Sequence, residues 1–130
     1  MKKVFEFLKQ AGVFYIATVE GCQPRLRPFG AIALFEDKIY IQTGKIKEVS
    51  RQIAANPRIE ISAMSGDEWI RVTAELVDDD RIEPKRYMLE QYPELKGMYS
   101  AEDSNTQVLY LKNEKVTINS FTAEPVTCEF

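Results

Sequence analysis

The chain contains no histidine. That absence removes the side chain that most often acts as a general base, binds transition metals and ligates haem. Ser-His-Asp and Cys-His nucleophilic mechanisms are thereby excluded. Cysteine is scarce: Cys22 lies in an expected turn and Cys128 close to the end of the sequence. The pair matches neither a disulfide framework nor a CxxC metal pattern, so both are read as free thiols. A zinc site would have to be built from these two and carboxylates. No glycine-rich phosphate loop of the GxGxxG or GxxxxGK type occurs. No apolar run approaches the roughly 18 residues of a membrane span. The opening MKKVFEFLKQ is soon interrupted by Glu6 and Lys9; the reading is a cytoplasmic protein without membrane association.

An excess of positive charge is also missing. Lys and Arg number 17 against 20 Asp and Glu, a formal charge of -3, so no global field draws the chain to nucleic acid. Any anion site must be local. What is present is ordinary for a globular protein: 130 residues, 45% hydrophobic and 28% charged, with six glycines and six prolines. A single domain over residues 1–130 is expected, large enough to bury roughly 65–70% of its unfolded surface without disulfide staples.

Hydrophobic spacing divides the chain. KKVFEFLKQ places Val4, Phe5 and Leu8 on one helical stripe ending near Gly12. VFYIATV and RLRPFGAIALF carry strand character around the turn EGCQP, and KIYIQT follows as a third strand after FEDK. Over 45–57 the period changes, with Ile46, Val49, Ile53 and Ala54 on one face, Thr43-Gly44 at the start and Asn56-Pro57 as the stop. RIEISAM and WIRVTAELV read as strands joined by SGDE, residues 82–91 as a helix, and 106–121 as a last hairpin turning at Lys112-Asn113-Glu114. Six or seven antiparallel strands with interspersed helices predict a mainly-β or α+β barrel rather than a doubly wound parallel sheet.

Two basic segments stand out. QPRLRPFG puts Arg25 and Arg27 two residues apart on one strand face and follows them with Pro28, Phe29 and Gly30. TGKIK places Thr43, Lys45 and Lys47 where the next helix starts, and a helix N-terminus with cations and a hydroxyl beside it favours an anion. Solvation of both segments is the competing reading, and spacing alone does not choose. Tyr15, Phe29 and Tyr40 are read as core. Trp69 reads as core or interface, with Arg71 on its strand face.

The combination ATVEGCQPRLRPFG, IYIQTGKIKEVSRQIAANPRIEI and GDEWIRVTAELV, in this order, resembles the pyridoxamine 5′-phosphate oxidase-like FMN-binding split barrels, in particular their short single-domain branch. The likeness runs from Phe14 to Phe130. It rests on a P-x-x-R-P hairpin, a Y-x-x-T strand end, a lysine four residues on, and a helix ending in NPR.

The resemblance implies a six-stranded antiparallel split β-barrel with peripheral helices, a homodimer, and FMN at its interface. It implies that Arg27, Pro28, Phe29 and Gly30 run along the flavin, and that Thr43 and Lys47 hold its phosphate with Arg25 or Arg27. Trp69 and Arg71 are similar to positions supplied by the partner subunit. The implied activity is oxidation or reduction of a small molecule. A non-catalytic flavin-binding or sensing module and a deazaflavin-binding reductase are the alternatives. True pyridoxamine phosphate oxidases carry an R-x-V-L-L-K flavin strand and a C-terminal Arg-x-His motif. Neither is present here, so oxidation of the vitamin itself is not expected. A third reading, an oligonucleotide-binding barrel using basic and aromatic strand faces, is opposed by the acidic balance.

Overall fold

The computed structural model describes all 130 residues. Helix α1 (Lys2–Ala11) buries Val4 and Leu8, one turn apart, while its lysines face outward. Gly12 ends it at φ 81°, a left-handed conformation that costs glycine no Cβ clash. Then follow β1 (Phe14–Glu20), β2 (Gln23–Phe29), β3 (Ile32–Phe35), β4 (Lys38–Gly44), α2 (Glu48–Ala55), β5 (Arg58–Ser65) and β6 (Glu68–Asp78). The chain continues with α3 (Ile82–Gln91), a short 3-10 helix over Pro93–Gly97, β7 (Thr106–Ser120) and β8 (Val126–Glu129). No helix is long and apolar enough to cross a membrane.

Alternation makes the strands. In β5, Ile59, Ile61 and Ala63 are buried while Arg58, Glu60, Ser62 and Met64 are exposed, the two-residue period of a half-buried sheet. All neighbours pair antiparallel, in the order β2-β1-β5-β6-β7-β4-β3, with β8 against the second half of β7. The two outermost strands of that path, β2 and β3, are consecutive in the chain and separated only by Gly30 and Ala31. The sheet must therefore curl until its edges approach each other there, yet they do not pair.

Helices occupy the seam this leaves. Helix α1 packs on β3 and β5, and α2 on β1 and β4, so each bridges the two halves of the sheet. A cluster of 20 buried residues joins them, with Val4, Leu8, Val49 and Ile53 from the helices among the isoleucines of the strands. Each such side chain contributes about 1.5–3 kcal/mol by leaving water. Helix α3 covers the outside of β3 and β7, where Met88 meets Ala33, Tyr40 and Val108 in a second cluster.

Several expectations are corrected. The run RLRPFGAIALF is two strands, because its halves pair with β1 and β4 at opposite edges of the sheet. Residues 106–121 form no hairpin: β7 runs straight through Lys112-Asn113-Glu114. Asn113 takes a left-handed φ of 56° inside a bulge, where two steps on β6 (Thr73 to Glu75) face three on β7 (Lys115 to Lys112). With β8 added, the expected six strands are eight segments of a sheet that does not close. Helix α2 starts at Glu48, so Ile46 is 85% exposed rather than on its apolar stripe, and Thr43 and Gly44 belong to β4. Tyr15 is 47% exposed, whereas Tyr40 is core at 1%.

Candidate functional site

A cleft of about 410 Å³ opens where the sheet edges approach, within the size range of small-molecule sites. One wall is the β2–β3 junction, Arg27 through Ala31. Gln42, Thr43, Lys47 and Val49 of β4 and α2 form a second, and Tyr92, Glu94, Leu95, Met98 and Tyr99 a third.

Arg27 lies on the inner face of β2, opposite buried Ile16. Its Nη1 donates to the Ile16 carbonyl at 3.0 Å and its Nη2 to Gln52 Oε1 on α2 at 2.7 Å. Gln52 Oε1 also accepts from Thr18 Oγ1 at 2.5 Å, so one buried amide oxygen ties β1 and α2 to the Arg27 that lines the cleft. Burial, and then the like charge of Arg25, lower the pKa of the Arg27 guanidinium, which nevertheless stays charged. Phe29 stacks on Phe14 with ring centroids 6.1 Å apart, leaving Gly30 and Ala31 as a wall poor in side chains.

The loop before α2 is held from outside. Asn105 accepts from the Lys45 amide through its carbonyl at 2.7 Å and from the Ile46 amide through Oδ1 at 3.1 Å. Asp103 fixes that segment by accepting from the backbone of Ser100, Asn105 and Thr106, bonds that lower its pKa to about 2. Lys47 caps α2 through its backbone, with no side-chain cap. Its neighbours pair elsewhere, Lys45 with Asp80 at 3.5 Å and Glu48 with Arg51 at 3.8 Å, leaving the Lys47 ammonium without an ion pair.

Gln42 is the most pointed feature. It is 7% exposed, lines the cleft, and neither atom of its side-chain amide has a partner. A buried amide left unsatisfied costs about 1–3 kcal/mol. The cleft thus combines an unmet donor–acceptor pair, an unpaired ammonium, a guanidinium and the first turn of a helix, donors suited to a polar, anionic ligand.

Six of the expected site residues, Arg27, Pro28, Phe29, Gly30, Thr43 and Lys47, come together in this cleft. Arg25 does not line it; its guanidinium pairs with Glu20 at 2.8 Å. Trp69 and Arg71 lie on the outer sheet face, the guanidinium 5.2 Å from the indole centroid. Sequence reasoning passed over Gln42 and the whole 92–99 wall. Gln42 had a signal, since it shares a strand face with Tyr40; the wall had none, being aperiodic.

The sequence of residues 1–120 matches the profile of the family described as pyridoxamine 5′-phosphate oxidase. The chain belongs to that family. Its members commonly bind flavin. Among solved structures, the chain is similar to a NimC/NimA family protein from Clostridium acetobutylicum, 47% identical, covering 100% of this chain and 92% of that one with a TM-score of 0.97. A putative pyridoxamine 5′-phosphate oxidase from Listeria innocua is 18% identical over 94% of this chain and 98% of that one, TM-score 0.72. General Stress Protein 26 from Bacillus anthracis is 14% identical over 99% and 98%, TM-score 0.77. At those lower identities the likeness is one of fold, and it fits a split barrel. A search of curated proteins finds no significant match.

Proposed function

We propose that the chain is an FMN-binding flavoprotein, a homodimer with the flavin at the subunit interface, acting as an oxidoreductase on a small molecule. The observation that carries the cofactor assignment is the buried, unpartnered Gln42 amide beside Arg27 and Lys47. A flavin presents an anionic phosphate for the two cations and a donor–acceptor ring edge for the amide. Thr43 and Lys47 would hold the phosphate together with Arg27, which Gln52 fixes, while Arg25 stays paired with Glu20 and does not line the cleft. The backbone at Pro28, Phe29 and Gly30 would lie along the ring. Bound FMN supplies the hydride or single-electron chemistry, so the lack of histidine is no obstacle. What this chain adds is binding, orientation and exclusion of water.

The outer sheet face supports a dimer. Tyr15, Leu26 and Met64 are 47%, 67% and 58% exposed. Register places them on one face with Trp69 and Arg71, through the rows Pro28–Tyr15–Ser62–Arg71 and Met64–Trp69. A second copy covering this face would bury the patch and bring Trp69 and Arg71 toward its own neighbour's flavin.

The direct test is a visible spectrum of the purified protein, with uptake of FMN followed by quenching of flavin fluorescence. Uptake with dissociation constants in the micromolar range or below supports the assignment; a colourless protein that takes up no FMN overturns it. Preference for a deazaflavin over FMN would reassign the cofactor. Flavin-dependent turnover of a reduced nicotinamide with an acceptor separates an enzyme from a flavin-binding or sensing module.

A further inference from the structure

We propose that the molecule bound beside the flavin is a flat, largely apolar compound carrying a cationic nitrogen and no phosphate, and that Glu94 selects it. The inference rests on the FMN reading above and concerns the third wall of the same cleft. That wall is built by Tyr92, Leu95, Met98 and Tyr99, with Glu94 the one acidic residue lining the cleft. Aromatic, thioether and aliphatic surface favours a flat apolar body.

The wall is held in place. Tyr92 Oη accepts from the Ile32 amide at 3.2 Å and donates to the Ile32 carbonyl at 3.1 Å, while Lys9 Nζ donates to it at 2.8 Å. Ile32 directly follows Gly30 and Ala31, so the wall is tied to the segment along which the flavin would lie. The following turn is closed by the Leu95 amide on the Tyr92 carbonyl at 2.9 Å and the Met98 amide on the Leu95 carbonyl at 3.0 Å.

Charge decides the ligand's sign. Glu94 forms no ion pair, and Lys96, two residues on, faces a separate depression with Arg86 and Glu90. The cleft's only cations are Arg27 and Lys47, and in the FMN reading both are taken by the cofactor's phosphate. A second phosphate would find no free cation among the lining residues and would meet Glu94, the Lys9 ammonium behind Tyr92 being engaged with the Tyr92 hydroxyl and ring. An ammonium or amidinium instead gains a charge-assisted bond to the carboxylate and the face of Tyr99. The Tyr92 ring already carries Lys9, 4.2 Å from its centroid, so the incoming cation is left to Glu94 and Tyr99.

The test uses the FMN-loaded protein and three probes of one shape: benzylamine, cationic at neutral pH, neutral benzyl alcohol, and anionic benzoate. Binding is read from perturbation of the flavin absorbance. Benzylamine is expected to bind about tenfold or more tightly than benzyl alcohol, with benzoate weakest. Glu94→Gln should leave FMN affinity unchanged and reduce benzylamine to the level of the alcohol, while Glu94→Asp keeps part of the preference. A flavin spectrum that benzylamine does not move, equal affinity for the three probes, or a preference that survives Glu94→Gln overturns the proposal. Wild-type protein that takes up no FMN overturns the cofactor reading along with it; FMN-loaded protein indifferent to charge overturns the Glu94 assignment alone.

Discussion

Arg27 on β2 and Gln52 on α2 are joined by a 2.7 Å hydrogen bond across the open seam of the sheet. The edge strand that borders the cleft is thereby fastened to the helix whose first turn faces the cleft. Gln52→Ala should remove this link and leave the buried Thr18 hydroxyl without its acceptor, a loss of about 1–3 kcal/mol in urea unfolding. FMN affinity should fall with it, since Arg27 loses the bond that aims it. Stability unchanged within about 0.5 kcal/mol would show that the seam is held by apolar packing alone.

Lys47 differs from Arg27 in having no protein partner to lose. Because its side chain is exposed and unpaired, Lys47→Glu should leave the urea midpoint nearly unmoved. FMN binding should weaken at least about tenfold, roughly 1.4 kcal/mol, and less so as salt screens the reversed charge. Unchanged affinity would remove Lys47 from the phosphate site.

Gly44 and Asn105 are in tight contact. A Cβ at position 44 would lie 2.9 Å from Asn105 Nδ2 and 3.2 Å from Oδ1. Gly44→Ala should push Asn105 off the Lys45 and Ile46 amides it holds, costing about 1–2 kcal/mol and weakening FMN through a displaced loop. Asn105→Ala should cost a similar amount. The double variant should lose less than the sum of the two, because each change breaks the same contact. Strict additivity in FMN affinity would mean that Asn105 does not position the loop.

The limits of reading these features from sequence are physical. Alternation in RIEISAM and the stripe Val4–Leu8 are local signals, set by which face meets the core. The chain's path at Gly30 is not local: Pro-Phe-Gly marks a break in either case, but only the pairing of β2 with β1 and of β3 with β4 makes it the meeting point of two sheet edges. Asn113 is ambiguous for a related reason. An asparagine at positive φ serves a hairpin turn or a bulge equally well, and the pairing of β7 with β6 on both sides of Asn113 decides for the bulge. Among the site residues, Arg27 and Lys47 carried charge signals, whereas Glu94 lies in a short 3-10 segment whose neighbours are fixed only in three dimensions.

The outer face offers a test of assembly. Leu26 and Met64 are exposed on the same side of the sheet, so replacing both with glutamate costs the monomer little burial. In the proposed dimer the same change places like charges across a two-fold axis. Sedimentation should report a monomer for the double variant and a dimer for the parent, and FMN retention should fall if the partner completes the site. A wild-type monomer at micromolar concentration would overturn the dimer.

Glu114 offers a test through pH. It sits at the bulge, 5% exposed, with Oε1 unpartnered. Burial raises its pKa above the usual carboxylate value, opposed by its own backbone amide and the N-terminal ammonium. A carboxyl whose folded pKa exceeds its unfolded one binds its proton more tightly when folded. Its contribution to stability is therefore fully present below the unfolded value, near pH 4, and is lost as pH rises through the folded one. At neutral pH the ionised group is a burden that a neutral amide of the same shape would lack. Glu114→Gln should match the parent in urea unfolding at about pH 4 and exceed it by about 1 kcal/mol at neutral pH. The gap should open over the range in which Glu114 titrates. A variant less stable than the parent at neutral pH would mean that the carboxylate is held there as an ion, paired with the N-terminal ammonium strongly enough to outweigh its burial.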